Sequence, residues 1–280
     1  MRLVQPLTLA TSTSSGRVSV IIPTRDSAQF LERCLRSVRT QNASVDVVVV
    51  DGFSKDKSRE IASEFASKIL IAPGTQAAAR NLGLANSEGE YVLFLDSDQL
   101  LEDGVIQDCI SKCVEEEVFT VKIPESFIGV DFWGRCSALW KNSVVKAWGP
   151  EGGIPRFYRR SALTRSSLCN SSLRFWEDLE LYQRVRHIAL GKEAQCERRV
   201  IHYESGSLRN VAMKYHSYGR SIATFTGRSA RTLHASTIRL TFSTALYLLR
   251  NSGRSPTVFF GCMFQVFLKS LCAALGFLTS

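Results

Sequence analysis

Two aspartates, Asp96 and Asp98, follow the apolar run that opens "YVLFLDSDQL". In an extended strand successive side chains alternate faces, so both carboxylates would point one way and Ser97 the other. Side by side they repel unless something positive sits with them. Three chemistries fit such a pair. It can be a solvated strand end that caps the helix after Leu101. It can be the nucleophile motif of an enzyme that works through an aspartyl phosphate. That motif usually lies on the first strand and continues to Thr or Val, whereas this one follows a fourth apolar run and continues to Gln99. It can also bind a divalent cation. Hard carboxylate oxygens hold Mg²⁺ or Mn²⁺, and diphosphate oxygens and water take the remaining positions.

The elements that would carry the pair alternate along the chain. "VSVIIP" is a β-branched run stopped by Pro23, and "SAQFLERCLRSVRTQ" follows with apolar residues at helical spacing and Ser27 as its expected N-cap. "VDVVVV" ends at Asp51-Gly52, "SKDKSREIASEFAS" is amphipathic, and "KILIA" precedes Pro73-Gly74. "TQAAARNLGLANS" is helical, and "EYVLFL" closes the series. Continuous apolar strands separated by helices predict an α/β fold with a mostly parallel sheet covered on both faces. Ligands of such sheets bind beyond the carboxyl ends of the strands, where Asp26, Asp51, Asp96 and Asp98 all fall.

Charge divides the 280 residues. Nine of the 35 Lys and Arg lie beyond Glu204, the last acid, which leaves 26 bases against 26 acids before it. The net charge of +9 therefore belongs to the tail. The eight cysteines form no CxxC pair, which argues against a zinc ribbon; Cys109 and Cys113, one helical turn apart, read as small core residues. Reduced thiols fit a cytosolic compartment. Residues 1–17 have only short apolar pieces and read as a flexible lead-in, not a secretory signal.

"VSVIIPTRD", "VVVVDGFSKD", "AAARNLGLANSEGEYVLFLDSDQ" and "EDLELYQRV" occur in that order. Together they resemble the family 2 glycosyltransferases of the GT-A fold, over residues 18–205. The resemblance implies that Pro23 and Thr24 line a nucleotide pocket with Asp26 nearby, and that Asp51 contacts the base. It implies that Arg80 reaches the base or the diphosphate, that Asp96 lies near the ribose, and that Asp98 ligates Mn²⁺ or Mg²⁺. In one departure, Val50 and Phe53 flank Asp51-Gly52 where the family usually has two acids followed by Gly-Ser, so the base is not specified.

Displacing a nucleoside diphosphate builds negative charge that a metal stabilises, and the acceptor hydroxyl needs a general base. Asp178 occupies the family's base position, with Glu177 beside it; read as a helix alone, the two acids complement the helix dipole. Attack opposite the leaving group implies inversion. His202 is either structural or, as in some family members, a further metal ligand. Arg184 and Arg186 either neutralise phosphate or solvate a helix.

Residues 206–280 combine bases, no acids and the apolar stretches "VFFGCMFQVFL" and "LCAALGFL" around Lys269. A buried bundle helix does not explain the missing acids, and a polar stripe suited to nucleic acid is not present. A basic and apolar helical region suits peripheral or monotopic association with an anionic membrane. The expected protein is an inverting, metal-dependent glycosyltransferase at the cytosolic membrane face. It would use a UDP- or GDP-linked donor and a lipid carrier or glycan acceptor. The alternatives are an aspartyl-phosphate phosphatase and a non-catalytic membrane-bound nucleotide-binding module.

Overall fold

A computed structural model describes residues 16–148, 154–166, 168–173, 177–189, 192–204, 206–225, 247–248, 250 and 255–279. All but the last two residues of the expected lead-in fall outside them, as does most of the tail between 226 and 254. The chain forms two compact units. One comprises Met1–Glu125, Ile154–Ser172 and Trp176–Ile201; the other comprises Ser126–Gly153, Leu173–Phe175 and His202–Ser280. The second unit thus takes in an internal stretch as well as the tail.

The first unit holds β1 (Val18–Thr24), α1 (Ala28–Arg39), β2 (Val45–Asp51), α2 (Ser58–Phe65), β3 (Lys68–Ile71), α3 (Gln76–Ala85), β4 (Tyr91–Phe94), β5 (Gln99–Leu101), α4 (Val105–Glu115) and β6 (Thr120–Lys122). After β7 (Glu125–Gly129) and α5 (Phe132–Trp148) the chain returns to it with β8 (Phe157–Arg159), α6 (Arg160–Ser166), α7 (Glu177–Ile188) and β9 (Ala194–Gln195). Seven strands form one sheet in the order β3-β2-β1-β4-β8-β6-β9. The four apolar runs read from the sequence pair in parallel, β8 pairs antiparallel with β4 and β6, and β9 runs parallel to β6.

Residue parity sorts two cores, because strand side chains alternate. Val18, Val20, Ile22, Leu93 and Leu95 face α1 and α4, including Cys109 and Cys113. Ile21, Val92 and Phe94 face α3, α6 and α7. With both faces covered, the parallel strands gain nothing from polar residues, which is why they read as unbroken apolar runs.

The second unit holds α5, the end of β10 (Val200–Glu204), α8 (Leu208–Phe225) and α9 (Pro256–Leu278). The Val130 N–H donates to the Glu204 carbonyl at 3.0 Å. Glycines let the helices touch backbone to backbone. A Cβ on Gly276 would lie 2.0 Å from the His216 carbonyl oxygen, and one on Gly219 would lie 1.9 Å from that of Ala273. Backbone cannot yield as a side chain does. Gly276→Ala should therefore force α8 and α9 apart at a cost of about 1–3 kcal/mol. By contrast, Gly52→Ala, whose Cβ would meet ordinary contacts at 3.5 Å, should cause no steric loss. Thermal unfolding of the two variants checks this, and equal melting temperatures would contradict it.

Candidate active site

The parallel register sets the strand ends of the first unit beside one another. Thr24 pairs with Asp51 across β1 and β2, and the Leu95 N–H, just past β4, donates to the Ile21 carbonyl at 3.1 Å. Pro23, Thr24, Asp51 and Asp96 consequently share the carboxyl edge of the sheet.

The loops after β1 and β2 are zipped together there. Asp26 adopts the left-handed backbone region (φ 48°), rare outside glycine, and is held by two bonds. Its N–H donates to Ser54 Oγ at 2.9 Å, and its Oδ1 accepts from the Lys55 N–H at 2.8 Å. Ser27 does not cap α1 with its own side chain, which donates to the Arg25 carbonyl. Asp56, from the other loop, accepts the Ala28 N–H at 2.9 Å. The cap expected locally is supplied from 28 residues away.

Asp51 is buried at the base of this arrangement. Its Oδ2 accepts from the Ser54 N–H at 3.0 Å, while its Oδ1 has no hydrogen-bond partner. A buried acceptor left open is uncommon and costs free energy, so it marks a place where a ligand donor fits.

The expectation that Asp96 and Asp98 share a strand face does not hold. β4 ends at Phe94 and the chain turns: the Gln99 N–H donates to the Asp96 carbonyl at 3.0 Å, and Gln99 Oε1 accepts the Asp96 N–H at 2.9 Å. The two carboxylates therefore have different surroundings. Asp96 is bracketed by guanidinium groups. Arg80 Nη2 donates to its Oδ1 at 3.0 Å and Arg156 Nη1 to its Oδ2 at 3.2 Å, with Gln76 Nε2 also on Oδ1 at 2.6 Å. Arg80 reaches Glu177 at 2.9 Å, and Arg156 pairs with Glu125. The charges alternate in a row: Glu177, Arg80, Asp96, Arg156, Glu125. Burial pushes the Glu177 carboxyl above its ordinary range against the pull of Arg80. Arg80 is thus tied between two carboxylates, with its Nε left as a buried donor without a partner.

Asp98 sits partly exposed on the turn. Burial drives the Cys34 thiol well up, and the charges of Asp98 and Asp96 add to it, so this buried cysteine stays a thiol. Of the adjacent acids on α7, Glu177 is buried in its ion pair, whereas Asp178 is partly exposed and its Oδ1 accepts the Leu179 N–H at 2.8 Å. Arg184 is structural: it pairs with Glu180 at 2.7 Å and donates to the Leu168 carbonyl at 2.9 Å. His202 belongs to the second unit, where its ring stacks on Phe127 with centroids 5.0 Å apart. Gln76 and Arg156 went unassigned in the sequence. The basic crowding of "PRFYRR" was the one visible signal for Arg156.

Residues 19–192, more than half of the chain, match the family described as glycosyl transferase family 2. Glycosyltransferase GlyA of Streptococcus pneumoniae is 38% identical over 106 residues, 35% of this chain and 15% of GlyA. The minor teichoic acid biosynthesis protein GgaA of Bacillus subtilis is 28% identical over 189 residues, 60% of this chain and 42% of GgaA. The matches thus span less than half the length of these curated relatives. Among solved structures, Staphylococcus aureus TarS 1-349 in complex with UDP-GlcNAc aligns with a TM-score of 0.57 at 17% identity, covering 83% of this chain and 80% of that one. Mannosyltransferase PcManGT from Pyrobaculum calidifontis, in complex with GDP-Man and Mn²⁺, aligns with a TM-score of 0.59 at 19% identity, covering 98% and 90%. The fold is theirs. An aspartyl-phosphate mechanism finds no support, since both oxygens of Asp96 already accept charged hydrogen bonds and are poorly disposed to attack phosphorus. Neither the phosphatase nor the non-catalytic reading stands beside a match of this extent, and the chain belongs to glycosyl transferase family 2 as a glycosyltransferase of the GT-A fold.

Proposed function

We propose that the protein transfers a sugar from a nucleoside diphosphate sugar, UDP- or GDP-linked, to a hydroxyl of a lipid-linked or membrane-associated glycan, with inversion at the anomeric carbon. The observation that carries this reading is the open Oδ1 of buried Asp51. An N–H on the edge of a uracil or guanine ring is the donor it lacks, and Pro23, Thr24 and Asp26 stand beside it at the sheet edge. Two named neighbours bind such donors, UDP-GlcNAc in TarS and GDP-Man in PcManGT.

The donor set suits Mn²⁺ or Mg²⁺. Among the described residues no three His, Cys, Asp or Glu side chains gather into a protein cage. Such ions bind through one or two carboxylates and fill the rest of their shell with phosphate oxygens and water. Asp98 would supply the carboxylate, because Asp96 is spent on Arg80 and Arg156. When bound, the cation neutralises charge on the departing diphosphate. Asp178, not the ion-paired Glu177, takes the proton from the acceptor hydroxyl. The acceptor oxygen bonds to the anomeric carbon from the face opposite the diphosphate, whose carbon–oxygen bond breaks.

The site is read as working at the cytosolic face of a membrane. α9, at 23 residues, is long and apolar enough by length and composition to cross one. It exposes Phe260 (68%), Phe267 (65%) and Leu278 (77%). We assign it to peripheral or monotopic attachment, with the basic tail adding attraction to anionic lipid.

Asp98→Ala should remove the Mn²⁺-dependent part of UDP or GDP affinity and leave the melting temperature unchanged. Calorimetry with and without Mn²⁺ decides it, and a wild type that binds equally in both conditions rejects the metal role. Asp178→Asn should bind donor normally and turn over roughly 10²–10⁴-fold more slowly. Glu177→Ala strands Arg80 and should instead destabilise the fold by about 3–5 kcal/mol. Normal turnover by the Asn variant with the true acceptor would remove Asp178 from the reaction. Liposome co-sedimentation should show a salt-sensitive component of about 1 kcal/mol per basic residue near the surface, over an apolar component that salt leaves intact. Full-length protein that stays in solution with every lipid mixture would refute the membrane assignment.

A further inference from the structure

The second unit contains a cavity that nucleotide binding and sugar transfer leave unexplained. It measures about 330 Å³, within the range of small-molecule sites. Its wall is mostly apolar and aromatic, with Trp133, Trp140, Val144, Val145, Tyr215 and Tyr218. Three features make it more than a packing gap.

First, a buried amide faces an unmet demand. Gln265 lines the cavity, is 1% exposed, and donates from Nε2 to the Trp133 carbonyl at 3.2 Å. That bond fixes the orientation of the amide and leaves Oε1 as a buried acceptor with no partner. What is missing is an O–H or N–H.

Second, the charges around the cavity are out of balance. Lys141 and Lys214 line it, and Lys269 lies behind the wall, 3.0 Å from Ser137 Oγ and 4.3 Å from the Trp140 ring centroid. Glu204 is the one carboxylate among the described lining residues, and it is paired with Lys141. Burial pushes the Glu204 carboxyl up, but Lys141 and His202 outweigh it and hold the group below its ordinary range. Lys214 and Lys269 form no ion pair among the described residues; their contacts are Tyr218, Trp140, Tyr215 and the Ser137 hydroxyl. Burial pulls the Lys269 ammonium down to about 7 and Glu204 restores it only in part, so an anion beside Lys141 and Lys214 would restore it further.

Third, α9 supplies Gln265 and Lys269 to this region, and the same helix exposes Phe260, Phe264, Phe267 and Leu271. The helix thus turns one face to the cavity and an apolar stripe on its other face outward, as suits an element seated at the lipid surface from which an occupant with a hydrocarbon chain would come.

We propose that this cavity binds a phosphoester lipid whose headgroup carries a hydroxyl. The hydrocarbon packs against Trp133, Trp140 and Tyr215. The phosphate is met by Lys214 beside the Lys141–Glu204 pair, and the hydroxyl donates to Gln265 Oε1. The inference does not rest on the sugar-transfer reading, since its readout is lipid binding.

The test titrates the full chain with lysophosphatidylglycerol below its micellar concentration and follows tryptophan fluorescence, which Trp133 and Trp140 report. Lysophosphatidylcholine, glycerol phosphate and inorganic phosphate are run in parallel, and nucleoside diphosphate binding is measured on each sample. Saturable one-to-one binding of the glycerol lipid is expected, with the choline lipid bound roughly tenfold more weakly and the two free phosphates without effect. Gln265→Leu and Lys214→Gln should each weaken the glycerol lipid by roughly tenfold while nucleoside diphosphate binding is unchanged. Lys214 is exposed, so its variant tests the site even where Gln265→Leu lowers folding yield. Equal binding of both lipids would make the cavity a plain apolar sink, and displacement by inorganic phosphate would make it an anion site without lipid preference. Either result, or variants that bind as tightly as the wild type, overturns the proposal.

Discussion

Asp96 carries its charge at the carboxyl edge of the sheet because Arg80 and Arg156 each answer one of its oxygens. A buried carboxylate loses its hydration, and only close, well-directed partners offset that loss. Each arginine in turn needs a second carboxylate, and Glu177 and Glu125 provide them. One alternating row therefore ties together α3, the turn after β4, the start of β8, the first residue of α7 and the first residue of β7. A row of this kind holds its members in place, since moving any one strands a charge in its neighbour.

The row also divides labour between acids that look equivalent in the chain. Asp96 holds two guanidinium groups, and the cation role proposed above falls to Asp98, two residues on. Glu177 holds Arg80, and the base role proposed above falls to Asp178, one residue on. Asp178 keeps partial access to solvent where Glu177 is buried, whereas Asp96 and Asp98 are both partly exposed and differ in their surroundings. Enzymes commonly obtain two roles from similar groups by placing them in different surroundings.

The loops after β1 and β2 supply the other half of the site by a different device. Asp26, Ser54, Asp56 and Ser58 exchange hydrogen bonds across the gap between two parallel strands and hold Asp26 in a backbone region that costs free energy. In the second unit, Gly219 and Gly276 allow α8 and α9 the close approach from which the aromatic cavity follows. The tail that carries the net charge also helps line this cavity, through Lys214, Tyr215 and Gln265.

Much of this was legible in the chain. The four apolar runs, their parallel pairing and the helices between them follow from hydrophobic periodicity, a property of neighbouring residues. Aspartates just past strand ends had to reach one edge because parallel strands put all their carboxyl ends together. Local pattern failed where partners are distant in sequence. The extended geometry assumed for Asp96 and Asp98 gave way to a turn closed by the Gln99 side chain, and the cap of α1 came from Asp56 instead of Ser27. Arg156 lies 60 residues from Asp96, and Glu177 lies 97 from Arg80. No periodicity encodes such separations. Sequence by itself determined which elements form and which acids reach the edge of the sheet. Only the tertiary structure decided which of those acids are neutralised, because charge pairing depends on distances of about 3 Å that the folded chain alone sets.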